Sequence, residues 1–88
     1  MARFLITLPH TPEDCVPELD SIFGHSKELL HRFDWGCRAG EHVGWVVLEA
    51  ADERTARTLL PANLRSRGSA HQLNKFSEED MHSFHASA

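Results

Sequence analysis

An α+β domain with the element order βαββαβ and an added C-terminal helix is predicted by three features of the sequence. Residues 2–8 alternate between apolar and polar as a strand does, and a strong hairpin pattern runs from Leu29 to Ala50 around Ala39-Gly40. Between and after these lie segments whose apolar residues recur at helical spacing. The 88 residues leave room for one core, so residues 1–88 read as a single domain. With 41% hydrophobic and 25% charged residues, the chain has the composition of a protein that folds rather than one that stays disordered.

Phe4, Ile6 and Leu8 share one face of the first strand, which Pro9 stops. Thr11-Pro12-Glu13-Asp14 reads as a helix start: a hydroxyl at the cap, a proline where its missing N–H is harmless, and acids in the positive first turn. Cys15, Val16, Leu19, Ile22 and Phe23 form the stripe of a helix lying on a sheet, closed by Gly24. Pro17 interrupts the stripe, so the helix either kinks there or begins nearer Asp14.

From Leu29 to Arg38 the odd positions carry Leu29, His31, Phe33, Trp35 and Cys37, which predicts a second strand. His42 to Ala50, rich in β-branched and aromatic residues, predicts a third. The turn between them sets Cys37 opposite His42, Trp35 opposite Gly44, Phe33 opposite Val46 and His31 opposite Leu48. Asp52 begins a second helix with Ala56, Leu59 and Leu60 inward and Pro61 at its end, and Leu64 tucks under the following loop. Ser69 to Phe76 is a weaker strand suited to an edge, and Ser77-Glu78-Glu79-Asp80 is a capping box launching a helix with Met81 and Phe84 on one side.

Short connections and right-handed crossovers lead to a four-stranded antiparallel sheet in the order 4-1-3-2 with both main helices on one face. The third strand then has two apolar faces, Gly44, Val46 and Leu48 toward the helices and Val43, Trp45 and Val47 away from them. A Val-Trp-Val row on an open face predicts a cover, and sheet-to-sheet pairing into a homodimer is the simplest; the terminal helix is the alternative cover. In length, element order and two-faced third strand the chain resembles the dimeric ferredoxin-like (α/β-barrel) proteins, which include muconolactone isomerases, antibiotic-biosynthesis monooxygenases and small metal-binding members. The resemblance implies a ferredoxin-like sandwich and a homodimer. Being architectural, it carries over no site residue.

A net charge of −4 disfavours nucleic-acid binding. No apolar run reaches the roughly 18 residues that span a bilayer, no secretory leader pattern is visible, and two cysteines are too few for a disulfide framework. These features predict a soluble cytoplasmic protein. Phosphate-loop, dinucleotide and H-E-x-x-H zinc-protease motifs are lacking.

Seven histidines are the chemical signal of this sequence, histidine being both a common transition-metal ligand and a proton carrier near neutral pH. With strand 1 taken as parallel to strand 3, and strands 2 and 4 running the other way, His10, His31 and His71 fall at one end of the sheet. Cys37 and His42 fall at the other, about 20 Å away at roughly 3.3 Å per strand residue. The first group is a candidate three-histidine site for zinc, nickel or copper. The second pairs a thiol with an imidazole across a tight turn, as half of a metal site or as a thiolate–imidazolium pair. Cys15 reads as a small core hydrophobe. If the open face encloses a cavity, His10 is the candidate catalytic proton carrier of a cofactor-free isomerase or monooxygenase acting on a small cyclic compound. Three functions follow: binding of a transition metal or small ligand through histidines, small-molecule catalysis, or a non-catalytic assembly or regulatory module.

Overall fold

The computed structural model describes residues 1–86. Four strands, β1 (Ala2–Pro9), β2 (Asp34–Trp35), β3 (Val43–Ala50) and β4 (Ser69–Leu73), form one sheet in the order β2-β3-β1-β4, with every neighbouring pair antiparallel. Around it lie α1 (Cys15–His25), α2 (Lys27–Arg32), α3 (Glu53–Thr58) and α4 (Glu78–Ala86), with single 3₁₀ turns at Pro12–Asp14, Cys37–Ala39 and Ala62–Leu64. The protein is α+β with a four-stranded antiparallel sheet.

β1 and β3 run antiparallel, Ala2 facing Ala50 and Pro9 facing Val43. The parallel orientation expected for these two strands is therefore reversed, as it must be for direct neighbours in an antiparallel sheet. The consequence is large, because reversing β3 carries His42 to the same end of the sheet as His10.

The expected second strand is the other main departure. Residues 27–32 are helical, and only Asp34 and Trp35 join the sheet. Ser26 caps this helix by accepting the Leu29 N–H at 3.1 Å, Glu28 lies in the first turn, and His31 and Arg32 lie in the last. Leu29 and Phe33, four apart, both reach the core. That i, i+4 pair outweighed the odd-position alternation. The register Trp35 opposite Gly44 forms as expected, whereas Phe33 and His31 have no strand partners.

α1 resolves the proline question. Pro17 is its third residue, where an N–H has no intrahelical acceptor in any case. Its inward side is not the expected stripe: Ile22 and the carboxylate-bearing Glu18 are buried, while Val16 is 62% and Phe23 49% exposed. Asp52 caps α3 as expected, and Leu60 and Leu64 are buried, but α3 stops at Thr58 and leaves Leu59 exposed. The loop beyond is tied down by Arg57, which donates to the carbonyls of Arg65 and Gly68 at 3.0 and 2.6 Å.

The core lies between the helices and one face of the sheet, where Phe4, Ile6 and Leu8 of β1 and Val46, Leu48 and Ala50 of β3 meet Ile22, Leu29, Phe33, Ala56, Leu60 and Leu64. The opposite face carries Leu5, Val43 and Trp45, half-buried, and Val47, exposed, none of them part of this core. Each tryptophan covers a glycine nearby in the β2–β3 hairpin, Trp35 over Gly44 toward the core and Trp45 beside Gly36 toward the open face. α4 begins with the expected capping box: the Ser77 N–H donates to Asp80 Oδ2 at 2.8 Å and the Asp80 N–H to Ser77 Oγ at 3.1 Å. No residue of α4 is buried. No helix among the described residues is long and apolar enough to cross a membrane.

Candidate metal centre

At the end of the sheet where β1 finishes and β3 begins, four side chains converge. His10, Cys15, Cys37 and His42 each bring one ligand atom into a group whose members all lie within 4.8 Å of one another. Three separate segments supply them. His10 follows β1 directly and is held against the start of β3 by its backbone N–H, which donates to the carbonyl of His42 at 3.1 Å. Cys15 is the first residue of α1, brought back under β1 by the 3₁₀ turn at Pro12–Asp14. Cys37 opens the 3₁₀ turn of the β2–β3 hairpin.

That hairpin is closely stitched. The Gly36 N–H donates to the carbonyl of Val43 at 3.0 Å, and the Gly36 carbonyl accepts from Ala39 and Glu41 at 2.9 and 3.0 Å. Gly40, at φ 91°, supplies the left-handed residue the loop needs to turn back toward His42. Cys37 and His42 are thus set on either side of a rigid loop.

Within the group, Cys37 Sγ lies 3.2 Å from His10 Nε2. The other ring nitrogen of His10, Nδ1, lies 2.6 Å from Glu18 Oε2, with both side chains wholly removed from water. Glu18 stands one helical turn beyond Cys15, so the same face of α1 presents the thiol and the carboxylate. A carboxylate on Nδ1 orients the imidazole and leaves Nε2 directed at the thiols, the arrangement that recurs behind metal-bound histidines. The His10–Glu18 approach is an ion-pair contact without hydrogen-bond geometry, so His10 Nδ1, both carboxylate oxygens of Glu18 and His42 Nδ1 are all buried with no hydrogen-bond partner among the described residues. A buried nitrogen without a partner is costly, and a metal ion would satisfy that of His42.

The electrostatics agree with a site that exchanges protons for a cation. Burial pushes the Cys37 thiol above its ordinary value, and the adjacent Cys15 thiol raises it further. Burial likewise raises the Glu18 carboxyl, an effect the neighbouring His10 opposes. Two thiols, two imidazoles and a buried carboxylate are the composition of a closed tetrahedral zinc site with an outer carboxylate. With Zn–S near 2.3 Å and Zn–N near 2.0–2.1 Å, ligand atoms of such a site stand about 3.3–3.8 Å apart. The four ligand atoms, all within 4.8 Å of one another and two of them 3.2 Å apart, are gathered close to that spacing.

The sequence-derived sets are regrouped. His10, Cys37 and His42 come together, although strand direction had been expected to keep His10 about 20 Å from the other two. His31, exposed on α2, and His71, exposed on β4 opposite Leu5, lie outside the group. Cys15 and Glu18 join it unexpectedly. A signal for Cys15 was present: His10 and Cys15 are separated by four residues, as are Cys37 and His42, so the H-x4-C and C-x4-H spacings form a matched pair. Nothing comparable marks Glu18, which reads as one more acid near a helix start.

Fold and site together define a small α+β protein carrying a four-residue His/Cys cluster of metal-binding composition. No protein-family model, no curated protein and no solved structure matches the chain.

Proposed function

We propose that this chain is a zinc-binding protein that holds one ion between His10, Cys15, Cys37 and His42, with Glu18 positioning His10. The observation that carries the reading is the convergence on one point of two thiols and two imidazoles from two distant stretches of chain, residues 10–15 and 37–42, backed by a buried carboxylate. Thiolate and imidazole together favour zinc over the harder divalent cations. Four protein donors leave no open position for an activated water, which favours a structural or metal-responsive role over hydrolytic chemistry. Once bound, the ion would join the tail of β1, the start of α1 and the β2–β3 loop, and its binding energy would add directly to the stability of a small core.

The sheet order and the placement of the core helices support the ferredoxin-like reading of the fold. Catalysis by His10 receives less support, because Nδ1 faces Glu18 and Nε2 faces the thiols, leaving neither nitrogen for a substrate. A small-ligand reading keeps one supporting feature, a groove of about 410 Å³ whose wall includes Phe33, Trp35 and Cys37.

The test is titration of chelator-treated protein with zinc and with cobalt. One ion per chain is expected, with a tetrahedral cobalt spectrum containing thiolate charge-transfer bands. Cys15→Ser and Cys37→Ser should each weaken those bands and the affinity, whereas His31→Ala and His71→Ala should leave both unchanged. Binding that survives either cysteine substitution intact, or no tight binding at all, would overturn the reading.

A further inference from the structure

We infer that Cys15 and Cys37 are a redox pair which hydrogen peroxide closes into a disulfide, and that this disulfide and zinc exclude each other from the site. The part concerning zinc rests on the function proposed above; the disulfide itself does not. The first observation is placement. The chain has two cysteines, both free and half-buried, and the fold gathers their sulfurs to within 4.8 Å of each other from separate stretches of chain. A disulfide holds its sulfurs about 2.05 Å apart. Closing the difference takes rotation of both side chains about their Cα–Cβ bonds and a small adjustment of element ends, which both residues occupy: Cys15 opens α1 and Cys37 opens a 3₁₀ turn. With no third cysteine in the sequence, an intrachain bond has one possible pairing.

The second observation is access. Cys37 lies in the wall of the groove of about 410 Å³, beside Leu19, Trp35 and Arg38, which has ample room for a small peroxide. Cys37 is therefore the thiol attacked first, and Cys15 the one that resolves it. In the first step the Cys37 sulfur takes one peroxide oxygen as the O–O bond breaks, giving a sulfenic acid, and the other oxygen leaves as water with the thiol proton. In the second, the Cys15 sulfur displaces the sulfenic oxygen, the S–S bond forms, and a second water leaves with the Cys15 proton. Two thiols lose two electrons in all, and one peroxide gains them.

The third observation is what the two states share. Zinc needs both sulfurs as thiolates, and the disulfide consumes both, leaving His10 and His42 as half of a tetrahedral set. Each state ties residues 10–15 to residues 37–42, so oxidation replaces one crosslink of this corner of the fold by another. A thiol reductant reverses the exchange.

The test exposes the full-length protein, zinc-loaded and chelator-treated, to hydrogen peroxide. Products are scored rather than rates, because burial holds the Cys37 thiol above its ordinary value and slows its attack. Both samples should lose their two free thiols together, with a mass lower by two hydrogen atoms per chain. Digestion without reductant should yield the Cys15 peptide joined to the Cys37 peptide of the same chain. The zinc-loaded sample should release its ion to a chromophoric chelator as the thiols disappear, and the oxidised protein should show no cobalt thiolate bands until dithiothreitol restores it. In Cys15→Ser, Cys37 should be trapped by dimedone as the sulfenic acid. Thiols that survive excess peroxide, sulfinic acids or chain-to-chain disulfides in place of the internal bond, or an oxidised protein that keeps its zinc would each overturn the inference. Reduced protein that binds cobalt but forms no internal disulfide defeats this inference alone. Reduced protein that forms the disulfide but binds no cobalt defeats the zinc reading, and the exclusion with it.

Discussion

Glu18 Oε2 stands 2.6 Å from His10 Nδ1, in a contact from which water is fully excluded at both side chains. Glu18 is the one charged residue among the buried residues described, and a lone buried carboxylate is held only at the expense of its solvation. Its presence makes physical sense as the charge partner that holds His10 with its other nitrogen against Cys37.

Glu18→Gln should therefore lower zinc affinity about 10- to 100-fold while keeping the volume of the side chain. The cobalt spectrum of the loaded variant should keep its thiolate bands, because the four ligands are unchanged. Competition against a chromophoric chelator measures the affinity. Equal affinities for parent and variant would show that Glu18 fills space and does not position the ligand.

The hairpin carrying Cys37 and His42 should be intolerant at Gly36. A β-carbon there would lie 2.7 Å from the Glu41 carbonyl oxygen and 3.2 Å from Trp45 Cζ3, and a backbone oxygen cannot swing aside as a flexible side chain can. Gly36→Ala should cost about 1–3 kcal/mol of stability and weaken metal binding as well, because the loop must shift with Cys37 on it. Gly24→Ala is the contrasting case, an exposed position in α1 with nothing within 4 Å of the added carbon. It should stabilise the protein by about 0.5–1 kcal/mol. Denaturant unfolding of the two variants with and without zinc checks both expectations.

Asp52 should give α3 an acid-sensitive cap. Its Oδ1 accepts the Thr55 N–H at 2.8 Å, and that bond holds the carboxyl below its ordinary value of 3.8. Since the folded state favours the ionised form, the contribution is complete above the ordinary value and is lost as the pH falls through the lower folded value. Asp52→Asn, which caps without a charge, should remove this part of the acid dependence of Tm below pH 3.8. Asp52→Ala should lower Tm at neutral pH. An Asn variant whose Tm falls with acid as steeply as the parent's would show that the cap does not couple to protonation.

Much of the frame was legible in the residue pattern. The alternation of Phe4, Ile6 and Leu8, the register of Trp35 on Gly44, the Asp52 cap and the Ser77–Asp80 box are all local, set by strand pleat and by side-chain bonds over three residues. Residues 29–33 were misread because Leu29 and Phe33 satisfy period 2 and period 4 alike, and the Ser26 cap decides between them. The inward turn of Glu18 was illegible, because hydrophobic patterning ranks Val16 and Phe23 above an acid and has no knowledge of a histidine arriving from another strand.

The sequence by itself determined the kinds of element outside residues 27–33, the apolar faces of β1 and β3, and the supply of histidines and thiols from which a metal site can be made. Only the tertiary structure decided which of these meet. The direction of β3 relative to β1 brings His42 to His10, the 3₁₀ turn at Pro12–Asp14 brings Cys15 beneath them, and the helix at Lys27–Arg32 carries His31 away. The His/Cys cluster is a relation among residues up to 32 positions apart, from His10 to His42, and the chain acquires it only when hydrogen-bonded pairing has fixed the direction and register of its strands.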